Sequence, residues 1–90
     1  MLALTLLEIE SDDRTCQNVG TIQYDDNVDA RFKTAVETHF DGELVSYSFT
    51  DGHSSVTDCF NAVPIDVDVV IKEGLVTNTY KVEVSQTWMY

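Results

Sequence analysis

Two histidines, two cysteines and sixteen carboxylates are the groups in this 90-residue chain equipped for acid–base, nucleophilic or metal chemistry. Their spacing argues against most of it. Asp51-Gly52-His53-Ser54 sets an acid, an imidazole and a hydroxyl side by side. A catalytic triad, however, needs its members to converge from separate elements beside an oxyanion hole. Neighbours on an Asp-Gly turn point apart, so this stretch reads as a solvated turn. Asp25, Asn27 and Asp29 spell the opening of a calcium loop, which requires Gly at its sixth place and Glu at its twelfth. Those places hold Ala30 and Val36. The acids fit a helix start better, where carboxylates meet the positive end of the dipole. His39 and His53 lie 14 residues apart, with no ligand spacing around them. A small metal- or ligand-binding domain is therefore the weaker alternative, and an enzyme using His39 or His53 weaker still. No catalytic residue, metal or cofactor is expected.

Cys16 and Cys59 match no CxxC or zinc pattern. They are expected as free thiols in a reducing cytoplasm, since a secreted domain of this size usually carries more disulfides, with a single structural Cys16–Cys59 bridge as the alternative. The glycines at 20, 42, 52 and 74 never cluster into a phosphate-cradling loop.

What remains is charge. Sixteen acids oppose five bases, a net −11, and the pI is near 4.1. Five bases cannot neutralise a phosphate track, and an anionic membrane would repel the chain, so neither nucleic acid nor membrane is an expected direct partner. Residues 8–29 carry seven carboxylates against Arg14 alone, a balance of −6. The functional expectation is a non-enzymatic acidic module engaging a basic protein surface, where complementary potential speeds encounter and fixes register. Its candidate residues are Glu8, Glu10, Asp12, Asp13, Asp25, Asp26, Asp29, Asp66 and Asp68, with the acids of residues 8–29 gathered towards one end of the molecule. Solubility alone is the competing explanation. A sharper version is a nucleic-acid-mimicking inhibitor of the phage or mobile-element type, blocking a nucleic-acid-binding enzyme. On one strand face, Asp66 and Asp68 would stand roughly 6.6 Å apart, of the order of phosphate spacing. Trp88 is expected to close the core, with an aromatic anchor at Trp88 and Tyr90 as the alternative.

These groups must be positioned by one domain spanning residues 1–90. Met1–Leu7 has no basic flank and runs straight into Glu8, which reads as a strand rather than a secretory leader. No apolar run approaches the roughly 20 residues needed to span a bilayer, and a cytoplasmic location is expected. Residues 2–10 are apolar on both faces, the pattern of a central strand. Ala3, Thr5, Leu7 and Ile9 are expected inward, and Glu8 and Glu10 towards solvent. Residues 11–18 read as a polar turn and 19–24 as a short strand.

Residues 27–40 place Val28, Phe32, Ala35, Val36 and His39 on one stripe about 100° wide, the signature of an amphipathic helix. Asp26 is the expected N-cap, Asp29 occupies a capping-box place, Lys33 and Glu37 form an i,i+4 pair, and Gly42 supplies the stop. Residues 43–50 alternate with Val45, Tyr47 and Phe49 inward. Residues 53–63 read as extended or irregular chain.

Period-two patterns over 65–72 and 75–88 predict a C-terminal hairpin. Pairing Ile71 with Val76 sets Asp66 against Lys81, whereas a two-residue slip sets Asp66 against Glu83; like-charge avoidance favours the first. The expected fold class is α+β: a mostly antiparallel sheet of four or five strands with one α-helix packed on one face. The expected core joins Val28, Phe32, Ala35, Val36 and Phe40 to Leu7, Ile9, Tyr47, Val67, Val69, Val82 and Val84.

Overall fold

The computed structural model describes residues 2–9, 16–50, 52, 55–57 and 64–88, with the side chains of 2, 9, 16 and 88 excepted. The expectations for Glu10, Asp12, Asp13, His53, Cys59, Tyr90 and most of 53–63, and those for the Ile9, Cys16 and Trp88 side chains, fall outside the described residues. Five strands and one helix follow in the order β1 (Leu2–Ile9), β2 (Cys16–Gln23), α1 (Val28–Phe40), β3 (Glu43–Phe49), β4 (Ile65–Glu73) and β5 (Val76–Trp88). The strands form one antiparallel sheet ordered β2-β1-β5-β4-β3, and α1 packs on one face. This is the expected α+β architecture. No helix among the described residues is long and apolar enough to cross a membrane.

The apolar stripe of α1 is the inner wall of the core. Val28, Phe32 and Val36 are fully buried against Val67, Val69, Ile71, Val82 and Val84, while Ala35 and Phe40 pack at its margin. The doubly apolar β1 is indeed central, but its parity is the reverse of the expected one. Leu4 and Leu6 enter the core, and Leu7 is only half-buried and lies outside the core cluster. Leu6 opposes Val84 and Glu8 opposes Val82. Since opposed residues share a face, Glu8 is carried inward as well. Val82 and Val84 have no polar alternative and dictate the match; both faces of β1 are apolar, so β1 complies.

The C-terminal hairpin adopts the slipped register. Glu73 opposes Val76, Ile71 opposes Asn78, Val67 opposes Val82, Ile65 opposes Val84 and Asp66 opposes Glu83. Gly74 and Leu75 alone make the turn, with Gly74 at φ 67°. A two-residue turn with glycine at its first central position suits the twist of paired strands, whereas the Ile71–Val76 pairing needs a longer loop. Lys81 now faces Asp68, so an unlike pair is kept while Asp66 and Glu83 are forced together. Val76, expected inward, lies exposed beside the turn.

β3 carries a bulge. Leu44 opposes Ile71 and Ser46 opposes Val70, leaving Val45 unopposed and 56% exposed. The extra residue switches parity, so Leu44 joins Tyr47 and Phe49 on the inner face in place of Val45. β2 starts at Cys16, earlier than expected, because a second irregularity between Leu6 and Leu7 lets residues 16–18 pair with the end of β1.

The helix start also differs from the expected N-cap. Asn27 holds the cap position, and its backbone N–H donates to Asp25 Oδ1 at 2.9 Å. At the other end Asp41 takes the left-handed turn (φ 54°). Gly42 is needed for space, since a Cβ there would lie 2.6 Å from Ile71 Cγ2 and 2.7 Å from the Lys72 carbonyl oxygen.

Candidate functional site

Of the acids predicted to gather at one end, the described ones are divided by the fold. Ala3 pairs with Gln23, so the helix start and its Asp25, Asp26 and Asp29 lie at the Ala3 end of the sheet. Glu8 sits five residues further along β1, about 17 Å away at strand rise. It is also buried, at 5% exposure, which removes it from any partner-facing surface. A carboxylate so placed needs a partner. His39 Nε2 donates to Glu8 Oε2 at 2.8 Å, tying the last turn of α1 to β1. Phe40 completes the surroundings, edge-on to His39 at 4.9 Å and stacked on Tyr80 at 4.3 Å between ring centroids. An imidazole–carboxylate pair is the raw material of base catalysis. Here the imidazole and the carboxylate are engaged with each other in closing the helix–sheet seam.

The acids at the helix start are likewise engaged. Arg31 clasps Asp25 through Nε and Nη2, the closest contact being 2.8 Å. Hydrogen bonding from Arg31, then from the Asn27 N–H, holds the Asp25 carboxyl below its ordinary value. Asp29 does not close a capping box. It reaches out to the Val56 N–H at 2.7 Å and the Thr57 hydroxyl at 2.9 Å, fastening the 55–57 turn over the core. Glu37 accepts from the Leu44 N–H at 3.0 Å, stapling α1 to β3 in place of the expected pair with Lys33. Among these acids Asp26 is left exposed.

A different set converges on the sheet face opposite the helix. β4 projects Asp66 and Asp68 outward, and β5 projects Lys81 and Glu83. Asp66 and Glu83 are direct cross-strand neighbours. Opposed side chains sit about 4.5–5.5 Å apart at Cβ, where like charges repel. Around them the face is small and hydroxylated: Thr5 and Thr87 hydrogen-bond across β1 and β5, and Ser46, Ser48 and Ser85 extend the surface. No ion pair joins Asp66, Asp68 or Glu83 to a described base. Glu83 was not among the sequence-derived candidates. The slipped hairpin register is what brings it to Asp66, and only the two-residue turn at Gly74-Leu75 signals that register. Leu75, at the turn tip, and Val76 add exposed apolar surface at the sheet's end.

Among the described residues no group of three His, Cys, Asp or Glu side chains is placed to hold a metal. No protein-family model, curated protein or solved structure matches the chain.

Proposed function

We propose that the protein is a non-enzymatic binding module whose outer sheet face, centred on Asp66, Asp68 and Glu83, engages a basic protein surface. The observation that carries this reading is the Asp66–Glu83 pair. Like charges set directly opposite each other on adjacent inner strands weaken the sheet. Solubility is already served by exposed carboxylates at ends and turns, such as Asp26, Asp41 and Glu43. A cation from a partner, inserted between the two carboxylates, converts the repulsion into attraction and contributes to register as well as encounter rate.

The basic-surface form is favoured over nucleic-acid mimicry because a phosphate-like track has to be continuous. On this face Lys81 opposes Asp68 and Lys72 follows on β4, and both interrupt it. The test compares the wild type with an Asp66→Asn, Asp68→Asn, Glu83→Gln variant. Binding of the basic partner should weaken mainly through the association rate and lose salt dependence, each charge contributing about 1 kcal/mol or less. Equal binding by both proteins rejects the assignment.

A further inference from the structure

We infer that the tip of the β4–β5 hairpin is a separate protein-docking point, an apolar knob in an acidic setting that takes a partner segment in which apolar side chains accompany Lys or Arg. Leu75 is 103% exposed, and Val76 beside it is 57% exposed. They are two of the three large apolar side chains exposed among the described residues, and they are consecutive. Single apolar residues scattered over a surface are ordinary; two together on a tight turn ask for a contact.

The fold itself requires neither side chain. Gly74 supplies the positive φ of the turn and Leu75 keeps a negative one, a place that Asn, Asp or Ser fills equally well. Val76 has the parity of the buried Val82 and Val84, but α1 stops short of it. Phe40, the last residue of the helix, stacks on Tyr80, four residues before the turn is reached. The strands stay paired up to the turn, with Glu73 opposite Val76. The knob is therefore held in place before binding, which lowers the ordering cost of a contact.

Charge selects the occupant. A Cβ at Gly42 would lie 2.7 Å from the Lys72 carbonyl oxygen and 3.1 Å from Glu73 Cγ, so the 41–43 corner abuts the base of the tip. Asp41 and Glu43 are exposed there, and Glu73, held by the Tyr80 hydroxyl at 2.6 Å, is a third carboxylate. Within 41–43 and 72–76 Lys72 is the sole base. The last turn of α1 brings the negative end of its dipole to the same corner. An anionic bilayer is repelled by this setting, a neutral one gains nothing from it, and a second copy carries −11 of its own. A protein segment with apolar side chains next to Lys or Arg satisfies the knob and its rim together. The contact goes beyond the outer-face reading and does not require it: Asp66 is seven residues from Glu73 along β4, about 23 Å at strand rise.

The test is an amide-resolved NMR titration of the full, isotope-labelled chain with two capped hexapeptides, one alternating leucine with lysine and one alternating serine with lysine. The leucine peptide is expected to shift the amides of 41–43 and 74–77. It should bind about tenfold more tightly than the serine peptide, the gain from burying apolar side chains on the knob. Leu75→Asn, which keeps a residue suited to the turn, should abolish that difference. The inference is overturned if the leucine peptide binds wild type and Leu75→Asn equally, or if its shifts miss Gly74–Val76. It is equally overturned if the tip amides respond to phosphatidylcholine vesicles, or to rising protein concentration, instead of to the peptide. Whether the serine peptide shifts Asp66, Asp68 and Glu83 is read in the same titration. The outer-face reading can therefore fail while the knob stands, and the reverse.

Discussion

Glu8 and His39 meet at 2.8 Å across the seam between the central strand β1 and the last turn of α1, with 7% of the Glu8 side chain exposed. An inward carboxylate is tolerated there because the imidazole donates to it. Glu8→Ala should cost about 1–3 kcal/mol, the penalty for leaving a part-buried polar group unpaired. Glu8→Gln should cost less, since its amide oxygen still accepts from His39. Urea unfolding of Glu8→Ala, His39→Ala and the double variant measures the coupling. Additive losses would show that the contact contributes nothing.

Two glycines should respond to alanine for different reasons. Gly42→Ala drives a methyl into Ile71 and the Lys72 carbonyl, an overpacking worth about 1–3 kcal/mol. Gly74→Ala meets open space but sits at φ 67°, so only the backbone preference of about 1 kcal/mol is lost. Thermal melts that rank Gly74→Ala as the more damaging would contradict the close approach at Gly42.

The inner and outer positions of β5 differ sharply. Val82 is fully buried opposite Val67, and Val82→Asp should cost several kcal/mol and unfold a domain this small. Glu83→Gln relieves the repulsion with Asp66 and should raise stability by at most about 0.5 kcal/mol. A urea titration of both proteins decides the register and the face together.

Acid should reveal the Asp25–Arg31 clasp. Asp25 ionises in the folded chain below its ordinary value of 3.8. Its contribution is therefore complete above that value and disappears as pH falls through the lower, folded one. The stability gap between wild type and Asp25→Asn should be full near neutral pH and close as acid protonates the carboxylate. A gap that persists in acid would mean that the clasp does not depend on the carboxylate charge.

The helix and the hairpin were legible because each rests on one dominant period. The stripe Val28-Phe32-Val36 and the alternation through Val82 and Val84 leave one satisfactory face. β1 was not legible to the same degree: Leu4, Leu6 and Leu7 are apolar on both faces, so its parity was decided by β5. The Val45 bulge leaves no mark in composition, and it moved the inward position to Leu44. The site suffered most. Counting carboxylates along the chain could not show that Glu8, Asp25 and Asp29 are each occupied by an internal partner. Nor could it show that Glu83 stands against Asp66, because like-charge avoidance argued for the other register.

The proposed engagement of a basic protein surface by the outer-face carboxylates can be read out on the protein itself. The most direct measurement is affinity capture from source lysate on the wild type and on the Asp66→Asn, Asp68→Asn, Glu83→Gln variant. Both captures are run at low and moderate salt and quantified by mass spectrometry. The proteins lost on the variant are expected to be strongly basic and to be the ones released by moderate salt. Retention of the same proteins by both baits, or a lost set without basic character, would contradict it.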